Sequence, residues 1–145
     1  MELDNRRALL QCSLQRASEV LGDITPHVYA AYYARFPEAR ASFEQLHPGS
    51  VARLEGERVS QSLYCLMEWF DSPGEIEIVL LGTIPHHIET LGIAPQHFSE
   101  LLLCTCDTLM ATIPAEAGDE RAVMAELRST MAELFALGAS QVQKR

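Results

Sequence analysis

Apolar residues recur along this chain at spacings of three and four, and the breaks between them carry proline and glycine. Over residues 5–21, Leu9, Leu10, Leu14 and Val20 alternate with charged positions, which predicts an amphipathic helix. "GDITPH" (22–27) interrupts it, with Thr25 placed as N-cap and Pro26 in the first turn of a second helix running to about Arg35. That helix carries Val28, Tyr29, Tyr32, Tyr33 and Phe36. Pro37 bends the chain or starts a short new helix, and "HPGS" (47–50) reads as a loop. A long helix follows over about 51–70, with Val59, Leu63, Leu66, Met67 and Phe70 on one stripe. "DSPGE" (71–75) is a turn. The next helix covers about 75–89 with a disturbance at Pro85, and "LGIAP" (91–95) ends it. Pro95 opens a helix bearing Phe98, Leu101, Leu102 and Leu109 that stops near "TIPAEAGD". The last helix spans about 120–141, with Met124, Leu127, Met131, Leu134 and Phe135 in phase.

No stretch carries the period-two alternation of a strand, and no repeat or linker appears. The pattern predicts an all-α single domain, residues 1–145, of six to eight helices. Their uneven lengths and the frequent prolines favour irregular crossing angles over a regular four-helix bundle.

Composition narrows the partners. With 145 residues and 48% apolar content the chain can bury a real core. Its net charge of −9 argues against nucleic acid or an anionic membrane as partner. No apolar run approaches the roughly 20 residues needed to span a bilayer. No secretion signal is visible at "MELDNRRALLQCSLQ", so a cytoplasmic location is expected. Cys12, Cys65, Cys104 and Cys106 form no C-x-x-C pair. Cys104 and Cys106 would point about 200° apart on a helix. All four are expected to be buried free thiols.

The chemistry concentrates in "IPHHIETLGIAPQHF" (84–98). As a helix residue, His87 shares its face with Leu80, Thr83 and Ile84, whereas His86 shares a more polar one with Val79, Gly82 and Thr83. A histidine on an apolar stripe is most often a satisfied core residue, so the surrounding sequence has to decide.

That surrounding sequence resembles the globin family over about residues 5–142. "FPEARASF" (36–43) is similar to the globin corner between the second and third helices, where a proline is followed six residues later by a phenylalanine that stacks on haem; Pro37 and Phe43 fill those places. "HIETLGIAPQHF" (87–98) is similar to the proximal segment, with His87, Ile93, Pro95 and Phe98 at its histidine, aliphatic, proline and aromatic positions. Phe43 and His87 lie 44 positions apart, close to the globin separation. The resemblance implies a globin fold around one haem b. His87 would be the axial metal ligand in preference to His86, with Tyr29, Phe43, Val59, Ile93, Phe98 and Leu101 contacting the cofactor. A neutral imidazole suits haem iron, and its second N–H commonly donates to a neighbouring acceptor. Thr83 and Leu80, one turn earlier or more, are the candidates for that acceptor, and His86 is placed facing outward or toward a haem propionate.

On the distal side the resemblance puts Tyr29 where many bacterial globins carry a tyrosine that donates a hydrogen bond to the bound gas. Two registers are open for the distal helix. "EGERV" (55–59) places Glu55 at the distal position, Gly56 at a close helix contact and Val59 over the iron; a shorter spacing places Arg58 and Ser62 there instead. Neither supplies the usual distal histidine or glutamine. The plainer expectation for Glu55 and Arg58 is an exposed i,i+3 ion pair worth a few tenths of a kcal/mol.

The function implied is reversible binding of a diatomic gas (O2, NO or CO) by a monomer or homodimer. The alternatives are nitric oxide dioxygenation or peroxidase chemistry with an external reductase, and a haem-free globin-fold regulator. Phe98 stands where flavohaemoglobins have a tyrosine that tunes the proximal histidine, and the eight glycines include no G-x-G-x-x-G. Enzymatic turnover by this chain alone is therefore not expected. A separate reading, a metal held by His86 and His87 in a helical bundle, lacks further ligands at matched spacing.

Overall fold

The computed structural model describes residues 2–86 and 95–143, the side chains of 95, 96 and 139–143 aside. The described chain is all-helical. The helices are α1 (Leu3–Leu21), α2 (Thr25–Arg35), α3 (Ala39–Leu46), α4 (Val51–Glu68), α5 (Pro73–Ile78), α6 (Pro95–Ala111) and α7 (Gly118–Gln143), with a π-helical segment (Val79–Thr83) continuing α5. None of them is long and apolar enough to cross a membrane.

Helix α6 is the axis of the packing. It contacts α1, α2, α4 and α7, and this explains why it needs apolar residues on all sides. Phe98, Leu101, Leu102, Cys104, Cys106 and Leu109 are all buried. Cys104 and Cys106 point in nearly opposite directions and still both meet protein. The buried Thr105 hydroxyl is satisfied within the helix, donating to the Leu101 carbonyl at 3.0 Å. The thiols of Cys65, Cys104 and Cys106 are buried as expected, but Cys12 is exposed, on the outer side of α1.

One expected cap and two expected stripes are corrected. Thr25 is the first helical residue of α2, not its cap. Its backbone N–H is accepted by the Asp23 carboxylate at 3.0 Å, which holds that carboxyl below its ordinary value. The apolar stripes of α1 and α4 run out early, with Val20 64% and Met67 49% exposed.

The π-helical segment has a physical cause in Pro85. Proline has no N–H to donate to residue 81, and in an α-helix its ring would press on that carbonyl. A wider turn just upstream relieves the clash, and the Ile84 N–H reaches back to the Val79 carbonyl. The disturbance expected at Pro85 thus falls on the preceding turn. This segment packs against α7. The approach is close at Gly138, where a Cβ would lie 2.8 Å from Leu81 Cδ2.

One buried polar link joins the termini of the fold. Glu120, in the first turn of α7, accepts a fork of hydrogen bonds from Arg16 at 2.5 and 2.7 Å and one from the Ser13 hydroxyl at 2.9 Å. The Arg16 bonds chiefly, then Ser13, hold the Glu120 carboxyl below its ordinary 4.5. A carboxyl with a depressed folded-state pKa contributes its stability above the unfolded value and loses it as pH falls through the folded one. Glu120→Gln is therefore expected to lower Tm at neutral pH. Its deficit should shrink as pH drops from about 5 toward 3. Thermal melts across that range check this, and a deficit that stays constant or widens contradicts it.

Candidate functional site

Helix α2 delivers three tyrosines at i, i+3 and i+4, so they share a face. Tyr29 and Tyr32 are buried and Tyr33 half-buried. The Tyr29 ring lies 5.9 Å from that of Tyr32, edge-on, and 5.3 Å from that of Tyr33. Burial, first, and then the proximity of Tyr33 and Glu55 push the Tyr29 phenol far above its ordinary value, with Arg58 pulling the other way. The hydroxyl therefore keeps its proton at any ordinary pH and can act as a donor. No hydrogen bond to it is found among the described residues.

Helix α4 lies opposite. The exposed Glu55–Arg58 pair expected from the sequence does not form. Glu55 is half-buried and accepts the Tyr33 hydroxyl at 2.6 Å. Arg58 is only 4% exposed. Its Nη1 donates to the side-chain carbonyl of Gln61 at 3.2 Å, and its Nη2 is buried with no partner. Burial lowers the Arg58 pKa, with the nearby Tyr29 opposing. Ser62, one turn on, is also buried, its hydroxyl donating to the Arg58 carbonyl at 3.0 Å.

Gly56 and Val59 look elsewhere. A Cβ on Gly56 would meet nothing within 4 Å, so Gly56 makes no close helix contact. Val59 is buried, and it lines a cleft of about 290 Å³ shared with Leu14 and Ala17 of α1 and with Ile24 and Leu109. Helical phase then turns Arg58 and Ser62 away from that cleft relative to Val59.

The remaining predicted positions are distributed as follows. Phe98 and Leu101 are buried on α6. Phe43, near the end of α3, is half-buried, its ring 5.8 Å from that of His47. Leu80 and Ile84 are buried, while Thr83 and His86 are exposed. His87 and Ile93 lie outside the described residues. Tyr29, Val59, Leu80, Ile84, Phe98 and Leu101 all belong to one contiguous buried cluster, with Phe43 packed against its edge. Among the described residues no three His, Cys, Asp or Glu side chains gather as a metal-holding group.

The sequence reading missed the burial of Arg58 and the Tyr33–Glu55 bond. A signal was present: Arg58 shares the phase of Leu54, Ser62 and Cys65, all of which are buried. No protein-family model, no curated protein and no solved structure matches the chain.

Proposed function

We propose that this chain is a globin-like haem protein that reversibly binds a diatomic gas, O2, NO or CO, with His87 as the axial ligand. The observation that carries the reading is a buried donor without an acceptor among the described residues, Arg58 Nη2, together with the buried Tyr29 and an apolar cluster that includes Leu80, Ile84, Phe98 and Leu101. Buried donors normally have partners, and each left unmade costs about 1–3 kcal/mol. A polar ligand inside an otherwise apolar pocket would supply the missing acceptor. The residues fit haem: the apolar cluster suits the face of a macrocycle, and the sequence places a histidine three residues after the buried Ile84. Exposure of His86 supports the choice of His87.

Haem, when bound, would be held by His87 and would supply an iron able to take a diatomic gas. The chain's own residues then divide the work. Tyr29 donates its Oη–H to the ligand. Arg58 adds positive potential, and the burial of Arg58 and Ser62, with Val59 turned to the α1 cleft, favours the shorter distal register over the one built on Glu55 and Val59. Phe98, Leu101 and Leu80 exclude water. Titrating the purified protein with hemin should give a Soret absorbance that saturates at one per chain. Growth without an end point contradicts the proposal.

Phe98 brings no hydroxyl toward the proximal side, and a strong axial donor is what favours O–O cleavage in haem enzymes. The protein alone is thus expected to be a poor peroxidase and to consume no NO with NADH. Steady NO consumption with NADH and no added reductase contradicts this, and higher peroxidase activity in Phe98→Tyr supports it.

A further inference from the structure

The cleft beside Val59 is a cavity for which the haem reading has no role. Leu14 and Ala17 of α1 and Val59 and Leu63 of α4 line it, with Leu109 of α6. Ala17, Val59 and Leu109 are core residues, and Leu14 and Leu63 pack against the core. At about 290 Å³ the cleft stands at the lower end of the range for small-molecule sites, which are mostly apolar with a few placed polar groups. Beside it a polar hollow of about 560 Å³ is lined by Arg53, Glu57 and Gln61 of α4. Asp23, Thr25 and Ser60 line both spaces, so they stand where the apolar one meets the polar one. An apolar space joined to a polar one suits a ligand with an apolar tail and a polar head.

Fixed charge selects the sign of that head. The two spaces are lined by two carboxylates, Asp23 and Glu57, and one cation, Arg53. Arg53 pairs with Glu57 at 3.1 Å. Asp23 is kept ionised first by the backbone N–H and hydroxyl of Thr25 and last by the nearby His27. With His27 uncharged, the junction therefore carries one net negative charge. The Thr25 N–H takes one acceptor site on the Asp23 carboxylate at 3.0 Å, out of about four that a carboxylate has. We propose that this cleft binds a primary alkylammonium ion, its chain on Val59, Leu63 and Leu109 and its head at Asp23 and Ser60. Three ammonium donors match a carboxylate and a hydroxyl, and the chain leaves water for an apolar wall. A carboxylate head would meet Asp23 with like charge. Val59 alone is shared with the positions that the globin resemblance assigns to haem, so the site goes beyond the haem reading and does not rest on it.

The test is calorimetric titration of the full chain in low-salt buffer at about pH 8, where an ordinary histidine is uncharged. Hexyl-, octyl- and decylammonium are the probes, with octanol and octanoate as the neutral and anionic heads. Octylammonium should bind once per chain, ahead of octanol and well ahead of octanoate. Each added methylene should tighten binding roughly two- to fourfold. Asp23→Asn keeps an acceptor for the Thr25 N–H and removes the charge. It should weaken octylammonium about threefold or more and leave octanol unchanged. Glu133→Gln, which removes one exposed charge on α7, should change neither. Ser60→Phe, which puts a ring at the junction, should weaken both octyl probes about tenfold or more. Circular dichroism shows that each variant stays helical, and Asp23→Asn decides alone if Ser60→Phe does not. Octanoate binding as tightly as octylammonium, equal losses in Asp23→Asn and Glu133→Gln, or wild-type affinity in a helical Ser60→Phe overturns the proposal. Hemin added to the same samples keeps the two readings apart. Displacement of octylammonium by hemin would put the chain in the haem pocket and overturn the cleft site alone. Asp23-dependent binding in protein that takes up no hemin supports the cleft site while the haem reading fails.

Discussion

His87→Ala is expected to abolish or severely weaken haem retention, while His86→Ala leaves it near wild type. The expectation rests on the sequence match of His87, Ile93, Pro95 and Phe98 and on His86, which is exposed. In the proposed site the His87 imidazole would be the one bond from protein to haem iron, so its loss would leave only apolar contact to hold the group. The measurement is Soret absorbance per chain after a desalting column, with circular dichroism to show that each variant stays helical. Retention in His87→Ala together with loss in His86→Ala would shift the ligand by one residue. Loss in neither would remove the histidine from the account.

The second large effect is expected at Tyr29. Tyr29→Phe deletes one hydroxyl and leaves the ring contacts with Tyr32 and Tyr33 in place. Tyr29 is buried and its phenol keeps its proton, so in the proposed site it would act as a donor. Dioxygen bound at haem carries partial negative charge, and a charge-assisted hydrogen bond contributes about 1.5–3 kcal/mol. That converts to roughly 10 to 150-fold in affinity. The oxygen dissociation rate of Tyr29→Phe should therefore rise at least about tenfold, with a smaller change for CO, which is less polar when bound. Stopped-flow displacement measures both, and equal rates for wild type and variant would mean that the hydroxyl points away from the gas.

Helices were legible in this sequence because their apolar residues recur in phase over whole turns, as Leu101, Leu102 and Leu109 do on α6 and Met124, Leu127 and Met131 on α7. Phase alone does not tell where a covering partner ends. Ser13 and Arg16 already meet Glu120 in the first turn of α7, so little of α7 remains to cover Val20. Charge type misled the reading in the same way. Glu55 and Arg58 have the spacing of a solvated ion pair, yet tertiary packing gives Glu55 to Tyr33 and folds Arg58 inward. Propensity and pairing rules describe an isolated helix surface, and the decision here is made by the tyrosines of α2 across the gap. The π-helical turn was half legible: Pro85 marks a fault, but the strain is discharged one turn upstream, where "VLLGT" reads as ordinary helix.

The most direct test of the central claim is one pair of visible spectra of the purified protein, reduced with dithionite and then exposed to CO. A Soret band that sharpens and shifts on CO addition, at one haem per chain, is the result this account predicts. A hemin-saturated sample whose spectrum is that of free haem, unchanged in the His87→Ala variant, would contradict it.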